Sequence, residues 1–572
     1  MPELVIGARR SGAPRPWRAG FIAIAMLGVA IIVAWFIYRR SVAYDLPAGD
    51  VRGAISQVQA GPGAPPALVY GTSSLAWNGG IAVLRTTGDA HAIGAAHGRL
   101  LAPWLTAVVR AAGPSIRRTV GRSGLFGGST HDMRLAWRWR FVDDGLVDQD
   151  RRMVAGMTRG AAASGVGLEY DDLVRGQVVV DVGEPSVRTP EADKHAIAAS
   201  LTVIGKQLVA PNRLLIGRTF GLPGLDDGGA AAIPVVTLAH PDGKIAWAGV
   251  GWPGNLGVVT GVNAHGIAVM VNPARTSDVR PTRTARPTMH LARAILEQAK
   301  TLDAAIKLVE STSTLGAAQF VIVDGTSGSW VVVERTPSKA VVERNPKSPA
   351  LGDVLTTHTL SDDPENDRAK RMLPTASRVE RAARLARAPL ADVGAMAAIL
   401  RDTRAVDDAP RPPGHRGVID DGRAVHAVIL DPSSLELWVA DPGSNGRLRA
   451  FDLRHELRAD FQTDKGERAA PPADIAADPT IDPDRLASLA AARADLRLAR
   501  AALEAGDRDR AAEACARARA RAPALPEALE LDAYVAQAQG DLARARAAFQ
   551  AWVDGGTDNP RGEERARALL AR

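Results

Sequence analysis

The sequence predicts an α+β protein with a helical segment at each end. Twenty uncharged residues run from Ala19 to Tyr38, five apolar strand-like runs cluster between residues 230 and 335, and a 34-residue spacing recurs near the C-terminus. Runs of strands and runs of helices are segregated along the middle of the chain. That segregation favours α+β layering over a doubly wound parallel sheet.

Composition places the 572 residues in the globular class. Hydrophobic residues make up 46% and charged residues 23%, which excludes disordered, collagen-like and disulfide-rich chains. The formal net charge is +7, and it comes from arginines dispersed through alanine-rich sequence. Cys515 is the only cysteine, so no intramolecular disulfide, thiolate zinc site or CxxC pair can form.

Residues 19–38 are predicted to span a membrane, because twenty helical residues cover a hydrocarbon core of about 30 Å. The run exceeds the roughly 7–15 apolar residues of a signal peptide, which favours an uncleaved anchor, although Ser41-Val42-Ala43 resembles a cleavage site. Four arginines precede the run and two follow it closely. The positive-inside rule therefore predicts a single-pass protein of a bacterial inner membrane, with residues 1–18 cytoplasmic and the bulk periplasmic or extracellular.

Residues 50–455 are predicted to form the main domain. A strand at 79–88 precedes a helix at 91–113, where apolar residues recur every three or four positions. Glycine and proline turn signals separate the later strands, as in antiparallel hairpins, and further helices are expected at about 287–311, 376–389 and 391–402. The later strands carry the sequences AIPVVTLAHPDG, KIAWAGVGWPG, GIAVMVNPA, AQFVIVDG and GSWVVVER.

Residues 484–572 are predicted to form helical repeats. The pair Gly506-Asp507 recurs as Gly540-Asp541, and this 34-residue period of two helices resembles the tetratricopeptide repeat. An ordinary alanine-rich helical hairpin is the alternative. Such arrays offer a groove for a peptide or a partner protein, and the balanced charge of this segment does not indicate nucleic acid. The proline-rich residues 456–483 are predicted to be a linker.

Common phosphate, dinucleotide and metal motifs are missing from the sequence. It contains no GxxxxGK[ST], no GxGxxG that leads from a strand into a helix, no HExxH and no GxSxG. The eleven histidines are scattered singly, so no metal ligands and no cofactor are predicted.

Five segments in order resemble the acyl-coenzyme A:6-aminopenicillanate acyltransferase family, whose members are autoproteolytic N-terminal-nucleophile hydrolases of linear amides. The resemblance covers about residues 79–453. It implies a four-layer αββα sandwich, and a cysteine that is freed by self-cleavage and then attacks an amide carbonyl. The segments are IGAAHGRLLAPW, the presumed strand-bound GLEYDDLVRGQVVVDVG, LLIGRTFGL, VGWPGNLGVVTGVNAHGIAVMVNPA, and RPTMHLARAILEQAKTLDAAIKLV followed by FVIVDGTSGSWVVVE.

At the positions that the resemblance assigns to catalysis, this chain departs from the family. Ala198 falls at the nucleophile position, Gly221 at the position of the family's aspartate and Thr357 at that of an asparagine. Arg218 matches the arginine beside the nucleophile, and Asn272 matches an asparagine that can serve the oxyanion. Arg218 could also persist as a packing residue, and Asn272 before a proline could simply end a strand.

Ser200 is the fallback nucleophile. It lies two residues after Ala198 on the same strand face, and it would replace the family's cysteine if the register were shifted by two. Thr202 is a weaker candidate for the same reason, and Cys515 is expected to be a small buried helix residue. The dipeptide Trp252-Pro253 is expected to be a rigid structural feature under the site.

Three functional hypotheses remain open at this point. The first is a membrane-anchored cell-envelope protein whose hydrolase-like domain has lost catalysis and binds a small acyl-amide ligand or a protein partner. The second is an active amide hydrolase or acyltransferase that uses Ser200 or another nucleophile. The third is a scaffold in which only the repeats bind a partner.

Overall fold

The computed structural model describes residues 16–59, 65–120, 130–182, 199–210, 212–222, 225, 233–274, 284–352, 375–442, 446–458 and 472–571. Two of the predicted site residues, Ala198 and Thr357, lie outside these ranges.

The described helices are α1 (Pro16–Val42), α2 (Ala90–Leu100), α3 (Ala102–Val120), α4 (Thr130–Arg138), α5 (Asp148–Ala163), α6 (Tyr170–Val182), α7 (Thr288–Gln298), α8 (Leu302–Ser311), α9 (Thr375–Leu385), α10 (Val393–Leu400), α11 (Leu453–Glu456), α12 (Pro483–Glu504), α13 (Arg508–Arg521), α14 (Pro526–Gln539), α15 (Leu542–Asp554) and α16 (Pro560–Leu570).

The described strands are β1 (Ser56–Val58), β2 (Ala67–Tyr70), β3 (Ser73–Asn78), β4 (Ile81–Gly88), β5 (Ala199–Lys206), β6 (Leu214–Gly221), β7 (Val235–Pro241), β8 (Trp247–Gly251), β9 (Thr260–Asn263), β10 (Ile267–Ala274), β11 (Ala317–Asp324), β12 (Ser329–Arg335), β13 (Ala340–Arg344), β14 (Ala350–Gly352), β15 (His426–Asp431), β16 (Glu436–Ala440) and β17 (Leu448–Asp452).

The strands form two sheets. The larger has eleven strands in the order β1-β2-β3-β4-β7-β8-β9-β10-β11-β12-β13, and the smaller has six in the order β14-β5-β6-β15-β16-β17. Neighbouring strands are antiparallel except β4 and β7, which run parallel with Ala82 opposite Val235. Hairpins such as β9 with β10 and β11 with β12 account for much of the larger sheet, as the glycine turn signals predicted.

The two sheets pack face to face over an apolar core. Val236 and Met270 of the larger sheet meet Ile216 and Val428 of the smaller one. Because side chains alternate along a strand, Val269 points to the opposite face, where it packs against α7 and α8. Helices α2, α5 and α6 also pack on the larger sheet, and α9 and α10 cover the smaller one. The layers are therefore helix, sheet, sheet and helix, and the predicted mixed α+β class is confirmed.

Three predicted elements differ from the structure. The helix expected at 91–113 breaks at Leu101, where α2 and α3 meet at 81°. The helix expected at 287–311 is two helices, because Thr301 is extended and its side chain caps α8. The segment presumed to be strand-bound before the nucleophile is the helix α6, whose apolar residues Leu173, Val174 and Val178 are buried in the core with α5.

The N-terminal helix α1 contains one stretch, Phe21–Val42, that is long and apolar enough to cross a membrane. Its side chains are exposed, with Phe21 and Phe36 each 73% accessible. A signal sequence passes the same test of length and hydropathy. The helix therefore allows a membrane anchor without establishing one.

Helices α12 to α16 form a C-terminal helical unit of stacked antiparallel hairpins. Gly506 and Gly540 have φ angles of +79° and +84°, which lets the chain leave one helix and enter the next. Asp507 and Asp541 then cap α13 and α15. The C-terminal helical region is thus present, and its assignment to the tetratricopeptide family stays a prediction.

Candidate active site

The interior of the sandwich changes from apolar to polar toward one end. Along β5 the inward-facing residues pass from Ile204 to Thr202 and then Ser200. The neighbouring strand β6 carries Arg218 opposite Thr202, and β10 of the other sheet carries Asn272. These four polar side chains are at most 1% exposed. The structure therefore brings three of the sequence-predicted residues, Ser200, Arg218 and Asn272, to the same end of the sandwich.

Arg218 joins the two sheets at this polar end. Its guanidinium donates hydrogen bonds to Thr202 Oγ1 at 2.8 Å, to Asn272 Oδ1 and to the carbonyl oxygen of Val271 at 2.5 Å. Thr202 Oγ1 in turn donates to Asn272 Oδ1 at 3.2 Å. The arginine thereby fixes the orientation of the Asn272 amide, because its oxygen must face the donors.

Buried polar atoms without a hydrogen-bond partner among the described residues cluster at this end. They include Ser200 Oγ, Asn272 Nδ2 and His426 Nδ1. An unsatisfied buried donor or acceptor costs about 1–3 kcal/mol, so a purely structural interior would be more stable with apolar groups there. Clustered unsatisfied atoms are typical of places that bind or react with another group.

An aromatic stack adjoins the polar residues. The Phe220 ring lies between Trp252, at a centroid distance of 5.7 Å, and His426, at 5.6 Å. The Arg218 guanidinium lies 5.3 Å from the same ring. Phe220 pairs directly with Ser200 across β5 and β6. The stack therefore forms one wall next to the Ser200 position, and the structural role expected for Trp252 stays a prediction.

His426 is neutral in this environment. Burial and the nearby Arg218 cation lower the pKa of His426 to about 3, and its Nε2 atom lies 3.1 Å from Thr260 Oγ1. Sequence reasoning missed His426 and Phe220. Alternation of side chains along β6 and β15 could have placed both residues on the inward face. That the two strands pair, with His426 opposite Phe220, could not be read from the sequence.

Gly221 ends β6 opposite Ala199, so it lies at the same end of the sandwich. A glycine has no side chain, so the carboxylate that the family resemblance assigns to this position is missing. Cys515 lies in α13 of the helical unit, fully buried, and burial raises the pKa of its thiol to about 12. A thiol of this kind is protonated at neutral pH and does not act as a nucleophile.

The histidine of the IGAAHGRLLAPW segment has a supporting position. His97 is buried in α2, and its Nε2 accepts a hydrogen bond of 2.8 Å from the backbone N–H of Gly254. Burial lowers the pKa of His97 to about 4, so the ring stays neutral and can accept. This contact holds the turn that carries Trp252. Among the described residues, no group of three or more histidine, cysteine or acidic side chains is placed to hold a metal ion.

Comparison with known proteins agrees with the resemblance seen in the sequence. The profile of a family described as "Acyl-coenzyme A:6-aminopenicillanic acid acyl-transferase" matches residues 235–412. This match, which spans less than half of the chain, supports an acyltransferase or amide hydrolase family domain. No curated protein sequence matches the chain significantly.

Two solved structures illustrate the structural similarity. A Caenorhabditis elegans ortholog of N-acylethanolamine-hydrolyzing acid amidase is 15% identical, with 41% of this chain and 93% of that chain covered and a TM-score of 0.29. A variant of the conjugated bile acid hydrolase from Clostridium perfringens is 13% identical, with 44% and 92% covered and a TM-score of 0.29. Similarity at this level carries no argument about substrate.

Proposed function

We propose that the central domain hydrolyses linear amides or transfers their acyl groups, with Ser200 Oγ as the nucleophile. The observation that carries the proposal is the buried Ser200 hydroxyl, which has no partner among the described residues. It is the next inward-facing residue of β5 after Thr202, whose hydroxyl contacts both Arg218 and Asn272. The family match at residues 235–412 supports the reaction class. The proposed chemistry requires no cofactor and no metal ion.

The first step of the proposal is self-cleavage before Ser200. Its Oγ attacks the carbonyl carbon of Ala199, the C–N bond to Ser200 breaks, and the hydroxyl proton passes to the departing amine. Water then hydrolyses the resulting ester and restores the hydroxyl. The products are a chain ending at Ala199 and a chain whose first residue is Ser200, with a free α-amine that can act as the base for its own side chain.

The second step is the reaction with substrate. Ser200 Oγ attacks the amide carbonyl while the α-amine takes its proton and delivers it to the leaving amine. Water completes hydrolysis of the acyl ester, or an acceptor amine completes acyl transfer. The Asn272 amide N–H is the proposed oxyanion donor, since Arg218 already engages its oxygen. Arg218 acts as a positioning residue for that amide.

A ligand-binding domain without catalysis is the second candidate. It is favoured by the substitutions at Ala198, Gly221 and Thr357, which remove the family's thiol and two of its polar groups. The same orphaned polar atoms would then bind an acyl-amide ligand without cleaving it. The two candidates predict different results for cleavage of the peptide bond before Ser200 and for substrate turnover.

Ser200→Ala is therefore the first experiment. The full-length protein in detergent is expected to separate into fragments 1–199 and 200–572 by mass spectrometry and to hydrolyse N-acyl nitroanilides. Ser200→Ala should leave the chain intact and lower kcat/KM by at least about 10³-fold, whereas Ser200→Cys should retain cleavage because a thiol is also a nucleophile.

Ser311→Ala is the matched control, because that hydroxyl is exposed at the end of α8, where it donates to the carbonyl of Leu308 at 3.4 Å. It should behave as the unchanged protein. An uncleaved 572-residue chain with no turnover would contradict the proposed nucleophile and favour the ligand-binding candidate.

We further propose that α1 is an uncleaved anchor with its N-terminus in the cytoplasm, which leaves the central domain periplasmic. Cleavage after Ala43 would remove Val42, which is fully buried in the folded protein. The Tyr44 hydroxyl donates to the carbonyl of Trp139 at 2.7 Å. The carbonyl of Val42, before the cleavage point, accepts a hydrogen bond from Arg175 at 3.3 Å. The burial and this contact of Val42 support retention of α1 in the mature protein.

An aromatic surface beside the end of α1 supports the same proposal. Tyr38 stacks on Trp137 at 6.3 Å and donates to the carbonyl of Met133 at 3.0 Å. Trp137 and Phe141 are 46% and 42% exposed, and the Arg140 guanidinium lies within 4.3 Å of both ring centroids. Aromatic and arginine side chains in such a cluster are typical of a membrane–water interface.

A further inference from the structure

The inner face of the C-terminal helical unit is in contact with an irregular segment of the central domain. Residues 411–423 lie between α10 and β15, and they contact α12, α14 and the residues that begin α16. These are the alternate helices of the stack, which in helical repeats form one continuous face. The face on which the sequence predicted a partner is therefore covered, at least in part, by the chain itself.

Arg416 is the centre of this contact. Its Nε and one terminal nitrogen donate to the two carboxylate oxygens of Asp558 at 2.7 and 2.8 Å, and its backbone N–H donates to Asp558 at 3.1 Å. The same terminal nitrogen donates to Glu530 at 2.7 Å. A planar guanidinium held by two carboxylates in this way is recognised by both shape and charge.

The carboxylates are arranged in advance for this arginine. The Asp558 side chain is fully buried, and Asn559 donates to the free oxygen of Glu530 at 2.8 Å. Although burial alone would raise the pKa of Asp558, Arg416 keeps it below its usual value. A buried carboxylate pair without a cation would be strongly destabilised, so the face needs a guanidinium in this position.

The helical unit also contacts the backbone of residues 411–423 at two further places. Arg493 of α12 donates to the carbonyl oxygens of Gly422 and Asp421 at 2.8 and 2.6 Å. Gly414 has a φ of +76°, and a Cβ there would lie 2.6 Å from Leu525. The segment is thus bound by its backbone at both ends and by one side chain in the middle.

The bound segment leads directly into the polar end of the sandwich. Val425 follows it, and its N–H donates to the carbonyl of Phe220 at 2.7 Å. His426, the next residue, begins β15 and stacks on the Phe220 ring. Residues 411–423 are therefore joined through residue 424 and Val425 to the strand that carries one side of the aromatic wall beside Ser200.

We propose that the inner face of helices α12 to α16 is a binding site for an extended arginine-containing segment, and that the chain's own residues 411–423 occupy it. The helical unit then acts as an intramolecular clamp that positions Val425 and His426. Arg416 and Asp558 are positioning residues in this arrangement. The proposal does not depend on catalysis by Ser200.

Limited trypsin digestion of the full-length protein in detergent tests the clamp. The bonds after Arg416 and Arg423 should be protected in the unchanged chain; Arg411 precedes a proline, so trypsin does not cut there. Asp558→Asn should increase the rate of cleavage at Arg416 and Arg423 at least about tenfold, because proteolysis follows the population of the opened segment. Asp495→Asn is the matched control. It removes the same charge as Asp558→Asn, but Asp495 pairs with Arg517 inside the helical unit and not with residues 411–423. Equal cleavage rates in all three proteins would overturn the proposal.

A labelled peptide of residues 409–425 tests recognition by the face itself. It is expected to bind the Arg416→Met chain. In that chain the sequence of the helical unit is unchanged, but the chain's own segment has lost the contact of Arg416 with Asp558 and Glu530. It should bind neither the unchanged chain nor the Arg416→Met/Asp558→Asn chain. Equal binding to the unchanged chain would show an open face, and absence of binding to every chain would show that the face does not recognise this segment. Either result would overturn the proposal, and neither readout requires turnover.

Discussion

Asn272 has two polar ends in different situations. Its Oδ1 accepts hydrogen bonds from Arg218 and Thr202, while its Nδ2 has no acceptor among the described residues. The oxygen therefore stabilises the junction of the two sheets, and the amide N–H remains for a ligand or a developing oxyanion. The two roles can be separated by a substitution that preserves one and removes the other.

Asn272→Asp is that substitution. The new carboxylate would still accept from Arg218, now with both donor and acceptor charged, so the thermal midpoint should be equal or higher. Loss of the amide donor should lower kcat by about 10²–10³-fold on the N-acyl substrate used for Ser200. Turnover and thermal unfolding are measured on the same preparation. Full activity in the variant would exclude Asn272 as the oxyanion donor.

The residues of the site were only partly predictable. Strand alternation placed Ser200 and Thr202 on one face, and the family resemblance singled out Arg218 and Asn272. The stack of Phe220 with His426 was not predictable, because it joins strands that are about 200 residues apart in the sequence and depends on their register.

At the scale of elements, a buried ion cluster joins α5 to α7. Asp150 pairs with Arg293, with Arg286 at 3.3 Å and with His290 at 3.4 Å, and Arg293 also pairs with Glu297 at 3.2 Å. Burial lowers the pKa of His290, so the imidazole is neutral and the two carboxylates balance the two guanidiniums. Helices that carry so much buried charge are held together only while that balance is kept.

Asp150→Asn should break this balance. It leaves one uncompensated positive charge in the interior, which costs about 3–5 kcal/mol, whereas Asp150→Asn with Arg293→Met restores neutrality and should recover part of the loss. Thermal midpoints of both variants test the coupling. Asp303→Asn is the control, since its pair with Arg344 is exposed and should contribute less than about 1 kcal/mol. Purely additive effects of the two substitutions would contradict the coupling.

The breaks between elements were harder to predict than the elements. The apolar period runs without interruption through Leu101, but Pro103 has no N–H to donate to the carbonyl of Arg99, so one continuous helix is interrupted there. A second feature, the close packing of α2 against α5, was also hidden from the apolar period. Gly94 and Gly98 of α2 face the backbone of α5 so closely that a Cβ would lie 1.9 and 2.2 Å from its carbonyl oxygens. The glycines of IGAAHGRLL therefore permit close contact of two helices, a role that periodicity alone does not reveal.

At the scale of the whole molecule, both ends of the chain are attached to the central domain by specific contacts. Tyr44, which follows α1, is fixed to the surface of the central domain. Its backbone N–H donates to the Asp171 carboxylate at 3.1 Å, and its hydroxyl donates to the carbonyl of Trp139. The helical unit is attached through Arg416. The predicted linker also makes contact, since Ile475 and Leu448 exchange backbone hydrogen bonds of 2.9 and 3.1 Å.

These attachments allow a test of the membrane anchor in the intact protein. With α1 retained, the chain should remain in the membrane pellet after alkaline carbonate extraction, because about twenty apolar residues in a bilayer resist release by charge or pH. Added protease should reach the central domain from the periplasmic side only, as the arginines before α1 favour a cytoplasmic N-terminus.

A deletion of residues 1–38 is the control, since it preserves Tyr44 and its contacts while it removes most of the span. That chain should appear in the supernatant. If the protein expressed from residue 1 is isolated with Tyr44 as its first residue, the anchor is contradicted, because a peptidase has then cut after Ala43 and removed the buried Val42. Digestion from the cytoplasmic side would contradict the orientation and leave the anchor intact.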